Sequence, residues 1–127
     1  MKIILLLGAL LGLSSVMMAA YVDHSLGLFL TGKTLSGLLT AVRYHQLYAV
    51  VVSIIGLCIS QQIHNRSKLW LTRAAWIFFI GILLFSFSIY LSVMLSAAWV
   101  IYFTPIGGVL LMVGWCCLIR VSLLKTK

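Results

Sequence analysis

The stretch AAWIFFIGILLFSFSIYLSVMLSA, residues 74–97, contains no charged side chain. A helix needs about 20 largely apolar residues to cross roughly 30 Å of hydrocarbon, so a stretch of this length and composition reads as a membrane span. Outward from it, Ile3 to Tyr21, Arg43 to Ser60 and Val100 to Ile119 meet the same requirement. The longest connections, His24 to Val42 and Gln61 to Arg73, are too short to build a core of their own. The chain of 127 residues is 64% hydrophobic and 8% charged, far from the balance of a soluble domain. The expectation is an all-α membrane protein: one domain over residues 1–127, in which four transmembrane helices form an up-down bundle.

Nine basic residues against one acid give a net charge of +8, and their placement decides what the excess means. With the N-terminus in the cytoplasm, Lys2, Arg66, Lys68, Arg73, Arg120, Lys125 and Lys127 lie inside, whereas Lys33 and Arg43 lie outside. This is the positive-inside pattern, and it places both termini in the cytoplasm. No run of Lys or Arg is interleaved with aromatics as nucleic-acid binding requires, so nucleic acid is not an expected partner. The N-terminal residues MKIILLLGALLGLSSVMMAA resemble a signal peptide, but a cut after Ala20 would set Met18 where a small residue is wanted. An uncleaved first helix is expected. Cys58, Cys116 and Cys117 fall toward the reducing side, which argues against a disulfide.

The first connection, SLGLFLTGKTLSGLLTAVRYHQ, alternates apolar with small polar residues. It predicts a short amphipathic helix in the outer interface that runs on into the second span. Trp70, Trp76, Trp99, Tyr21, Tyr44, Tyr48 and Tyr102 fall near span ends, as an aromatic belt does.

Small residues predict where helices touch, because association in lipid relies on close backbone approach. Gly8 and Gly12 offer such a contact on the first helix. Ser88, Ser92 and Ser96 on the third are spaced by four, and Gly107, Leu111 and Gly114 share a face of the fourth; these two faces are expected to pair. Pro105, beside Gly107 and Gly108, predicts a fourth helix that is kinked or broken. In one form a continuous helix from Trp99 loses the bond to Ile101; in the other Thr104 caps a new helix. The kinked form is preferred, since irregular backbone facing lipid is costly.

The polar residues Asp23, His24, Arg43, Tyr44 and His45 are expected at the outer mouth of the bundle, with Thr104 near them. Water relieves the cost of charge there. An Asp23–Arg43 pair tying two helix ends together is the plainest reading. A haem held by His24 and His45, or a ligand at the partly positive start of the fourth helix, are sharper ones. A proton-coupled exporter is disfavoured, because there is no Glu and Asp23 is peripheral. A hydrolase lacks an evident base beside Ser86, Ser88, Ser92 or Ser96. No catalytic residue, metal or cofactor is expected.

AYVDH (20–24), AVRYHQLY (41–48), LFSFSIY (84–90) and TPIGGVLLMVGW (104–115) resemble, in order and spacing, the small membrane proteins of the YgdD type. These form a family of unknown function found in bacteria and, in related form, in animals. The family pattern carries Gly-Ala ahead of the position of His24, where this chain has Val22-Asp23, and a histidine where it has Tyr48. The resemblance implies a four-span integral membrane protein and no established activity. The expected role is non-enzymatic, through helix packing with itself or a membrane partner in the lipid bilayer. The alternative is a small-solute binder or transporter using the outer polar cluster.

Overall fold

The structure, a computed structural model, describes residues 2–62 and 64–124. Lys125 and Lys127, two of the residues placed inside, lie outside this set. Four helices are long and apolar enough to cross a membrane: α1 (Ile3–Phe29), α2 (Gly32–Gln61), α3 (Asn65–Met94) and α4 (Ala98–Ser122). No strand occurs among the described residues.

Lipid tails are as apolar as leucine, so small residues and hydrogen bonds must hold these helices together. Between α1 and α2, a β-carbon on Gly56 would lie 2.6 Å from the Leu5 backbone nitrogen, and Gly8 packs against the backbone of Ser53. Leu5 with Gly56 and Gly8 with Ser53 step in opposite directions along the two chains, which makes the pair antiparallel. Between α3 and α4, a β-carbon on Gly107 would lie 2.7 Å from the Gly81 carbonyl oxygen, and one on Gly114 would run into the Phe78 ring. This second pair is also antiparallel. α2 joins the two, its buried residues Leu38, Ala41, His45, Tyr48, Val52 and Ile55 recurring every three or four positions.

The described ends of the chain, Lys2 and Leu124, therefore lie at one end of the bundle, with Arg66, Lys68 and Arg120 around it. Arg73 stacks its guanidinium 5.1 Å from the ring centre of Trp70 at the same end.

The opposite end differs from expectation. At 1.5 Å per residue α2 is about 45 Å long, roughly 15 Å more than the hydrocarbon needs. The stretch predicted to lie in the interface stands upright instead. α1 continues through a π turn at Val22–Leu26 to Phe29, Leu30 and Thr31 are extended, and Gly32, at φ 61°, reverses the chain into α2. What holds this region up is a second apolar core, in which Val22, Leu38, Ala41 and Val42 pack with Ile89 and Tyr90.

A second π turn, Leu83–Phe87, sits in α3. Phe78, Ile82, Ser86 and Tyr90 are all at most 2% exposed and step by four. Each such step drifts about 40° around an α-helix of 3.6 residues per turn. The wider turn takes up the drift, and so aims Ser86 and Tyr90 at α2 along with Phe78.

At Pro105 the winding changes without a gap. Ala98–Phe103 is a 3₁₀ helix that passes directly into the α-helix Thr104–Ser122. The Ile101 carbonyl, which Pro105 cannot serve, accepts the Thr104 N–H instead. Tightening to i→i+3 pairing thus satisfies the group that the proline would orphan. Thr104 is helical, at φ −57° and ψ −48°, and its side chain makes no cap.

The serine row does not meet the glycine face. α3 ends at Met94, and Ser96, at φ 50°, stands in the turn. An antiparallel hairpin with this turn sets Ser88 opposite Thr104, so Gly107 and Gly114 fall deeper, against Phe85, Gly81 and Phe78. Gly108 has only the edge of the Phe85 ring near it, 3.8 Å from where a β-carbon would stand.

Candidate functional site

The six residues of the expected outer cluster are dispersed. Asp23 and His24 lie exposed on the π turn of α1, and Arg43 and Tyr44 lie exposed on α2. Among the described residues no ion pair joins Asp23 to Arg43. Tyr44 packs its ring 4.8 Å from that of Phe85. Thr104 shares a 2.6 Å hydrogen bond with Ser88, whose hydroxyl also reaches the carbonyl of Phe85. His45, read from sequence as a boundary residue, is 1% exposed. Because α2 begins at Gly32 and not near Arg43, His45 lies well inside the helix, on the face that carries Ala41, Tyr48 and Val52.

His45 links three helices. Its Nε2 is 3.2 Å from the Ser14 hydroxyl of α1, and its Nδ1 is 3.3 Å from the Tyr90 hydroxyl of α3. The Ser14 hydroxyl also lies 3.1 Å from the Leu11 carbonyl, to which it donates. Counting donors fixes the arrangement. Tyr90, 2% exposed, has His45 as its acceptor, so Nδ1 accepts, Nε2 carries the proton and Ser14 receives it while donating to Leu11. A nucleophilic serine would need the reverse, with Nε2 free to take its proton. Both ring nitrogens are thus occupied by protein, which leaves His45 no free nitrogen for the haem pairing with exposed His24.

Two further bonds cross the core. Ser86 donates to the Ala41 carbonyl at 2.7 Å, tying α3 to α2, and the Trp115 indole donates to the Tyr48 hydroxyl at 2.9 Å, tying α4 to α2. Tyr48, read as part of an aromatic belt, is 4% exposed and packs on Phe78. Sequence reading missed this layer, although its signal was present: residues 38, 41, 45, 48, 52 and 55 keep helical spacing through His45 and Tyr48.

Among the described residues, two of the concave surfaces bear on function. One is an outer cleft of about 730 Å³ between the start of α2 and the tip of the α3–α4 hairpin. Its apolar wall includes Leu30, Ile89, Val93 and Ile101, its hydroxyls include Thr34, Thr40, Ser92 and Thr104, and Lys33 stands at its rim. Of the expected cluster, Thr104 alone lines it.

The other is a groove of about 480 Å³ on the outward side of the α1–α2 pair, lined by Gly8, Gly12, Ser15, Ala49 and Ser53 with Gln46 among them. Gln46 is exposed, and among the described residues its amide makes no hydrogen bond within the chain. A β-carbon on Gly12 would stand 4.0 Å from that of Ala49, an ordinary contact.

Residues 18–108 match the family model described as protein of unknown function (DUF423). The chain is 33% identical over 119 residues to the UPF0382 membrane protein SH2409 of Staphylococcus haemolyticus, covering 94% of this chain and 93% of that one. It is 32% identical over 111 residues to the UPF0382 membrane protein of Haemophilus influenzae, covering 87% and 86%, and 30% identical over 115 residues to YwdK of Bacillus subtilis, covering 91% of each. No solved structure matches. The matched region contains the histidine of the buried relay and the proline where α4 changes its winding, and with four apolar helices and bacterial relatives named as membrane proteins the chain belongs to the DUF423 family, small membrane proteins of unknown function.

Proposed function

We propose that this is a non-enzymatic protein of the bacterial inner membrane, with both termini in the cytoplasm, that acts by packing against a second copy of itself through the α1–α2 groove. The observation that carries this reading is the position of Gln46. It lies about 22 Å from Gln61 along α2, inside a hydrocarbon layer of roughly 30 Å, where an unpaired amide is costly. Across a two-fold axis each Gln46 amide donates to and accepts from its copy. Gly12, Ala49 and Ser53 leave the groove shallow enough for two backbones to approach.

The side of the membrane follows from charge, with Lys2, Arg66, Lys68, Arg73 and Arg120 at the end that carries the termini. The alternative, a solute binder built on the outer polar cluster, has less support, since Asp23, His24, Arg43 and Tyr44 spread over exposed surfaces.

Counting photobleaching steps of labelled protein in bilayers tests the reading. Wild type should be dimeric at moderate density, and Gln46→Leu, which keeps the side chain's bulk, should lower the dimer constant about fivefold or more, since interhelical polar bonds contribute about 1–2 kcal/mol. A monomeric wild type, or an unchanged Gln46→Leu, would contradict it.

A further inference from the structure

The outer cleft lies at the other end of the molecule from the termini, and its depth identifies what it meets. With Gln61 at the near edge of the hydrocarbon, Thr40 lies about 32 Å away along α2, at the far edge. Lys33 lies about 10 Å beyond Thr40, and its flexible stem lets the ammonium reach back toward the phosphate layer. The cleft therefore spans the headgroup zone of one leaflet, with its apolar wall of Ile89, Val93 and Ile101 opening toward the acyl chains. Its volume, about 730 Å³, lies within the roughly 300–1,000 Å³ of small-molecule sites.

The chemistry of the walls changes with depth as that of a lipid does. The Thr34 hydroxyl is free to donate to a phosphate oxygen, whereas the hydroxyls of Thr40, Ser92 and Thr104 already donate to the Ser36 carbonyl, the Ile89 carbonyl and the Ser88 hydroxyl and make the rest of this wall mildly polar beside the apolar one. Lys33 is one of two basic residues toward this end of the chain, the other being Arg43, which does not line the cleft. A single cation beside one free hydroxyl fits one negative charge.

We propose that the outer cleft holds one anionic glycerophospholipid of the adjoining leaflet, its phosphate between Lys33 and the Thr34 hydroxyl and an acyl chain along Ile89, Val93 and Ile101. The site does not depend on the self-association described above, since Gln46 does not line the cleft, nor on which side of the membrane the cleft faces.

Native mass spectrometry of the full chain released from nanodiscs of equal dioleoyl phosphatidylglycerol and dioleoyl phosphatidylcholine tests it. Wild type should retain one phosphatidylglycerol in preference to phosphatidylcholine. Lys33→Gln should reduce that preference about fivefold, the effect of one interfacial cation, and Lys68→Gln, at the other end, should leave it unchanged. Ser92→Trp should displace the lipid altogether, with Thr40→Trp on the opposite wall as the second variant if the first unfolds. Equal retention of the two lipids by wild type would overturn the charge assignment. Retention unaffected by both tryptophans would overturn the location. Displacement by millimolar glycerol phosphate would overturn the lipid assignment in favour of a soluble phosphate.

Discussion

Gly8 of α1 packs so closely on α2 that a β-carbon added to it would lie 2.6 Å from the Ser53 backbone nitrogen. One turn along, Gly12 has its nearest neighbour, the Ala49 methyl, at 4.0 Å. The two glycines look alike in sequence, yet only Gly8 is required by contact. Gly8→Ala should therefore cost about 1–3 kcal/mol through overpacking. Gly12→Ala should be neutral or slightly stabilising, because alanine is the better helix former by up to about 1 kcal/mol. Thermal unfolding of both variants in one detergent checks the pair of outcomes.

Gly107 and Gly108 separate in the same way. Gly107→Ala would press on the Phe85 amide and the Gly81 carbonyl, whereas Gly108→Ala would meet only the Phe85 ring at an ordinary distance. The first should lower the unfolding temperature and the second should leave it within a degree or two. Equal effects would show that α3 and α4 approach differently.

The relay through His45 makes a prediction about coupling. Ser14 and Tyr90 do not touch, but each fixes the tautomer that the other needs. Tyr90→Phe should cost about 1 kcal/mol, in the range for interhelical polar contacts in membranes. Ser14→Ala combined with it should depart from additivity by about 0.5 kcal/mol or more. Strictly additive losses in a double-mutant cycle would mean that the imidazole proton is not shared information between α1 and α3.

A reporter that works only outside the cytoplasm should be inactive when fused after Lys127 and active when inserted beside Lys33. Activity at Lys127 would reverse the assignment of sides made from the basic residues.

The four spans were legible because hydropathy over about 20 residues is what the bilayer selects. The face of Gly107, Leu111 and Gly114 was legible too, since their spacing alone puts them on one side of α4. Its partner was not: the serine row looks like a matching face, but the turn at Ser96 sets the register of the hairpin, and register depends on loop geometry. The upright ends of α1 and α2 were hidden because their apolar residues are interleaved with Gly, Thr and Lys, and only the packing of Val22 and Leu38 on Tyr90 raises them. His45 was misread for a related reason. Arg43 marks the edge of the hydropathy signal, whereas the helix itself begins eleven residues earlier at Gly32. Of the candidate polar residues, Thr104 alone lines the outer cleft, and the others were grouped by sequence position without regard to which side of the helix they face.

The most direct test of self-association through the α1–α2 groove is cross-linking in native membranes, with Cys58, Cys116 and Cys117 replaced by alanine. Val50 shares the groove with Gln46, while Met112 lies exposed on α4. Oxidation should join Val50→Cys chains into disulfide-linked dimers, leave Met112→Cys chains monomeric, and fail for Val50→Cys once Gln46→Leu is added. Monomers at Val50→Cys, or dimers that form as readily at Met112→Cys or without the Gln46 amide, would contradict the proposal.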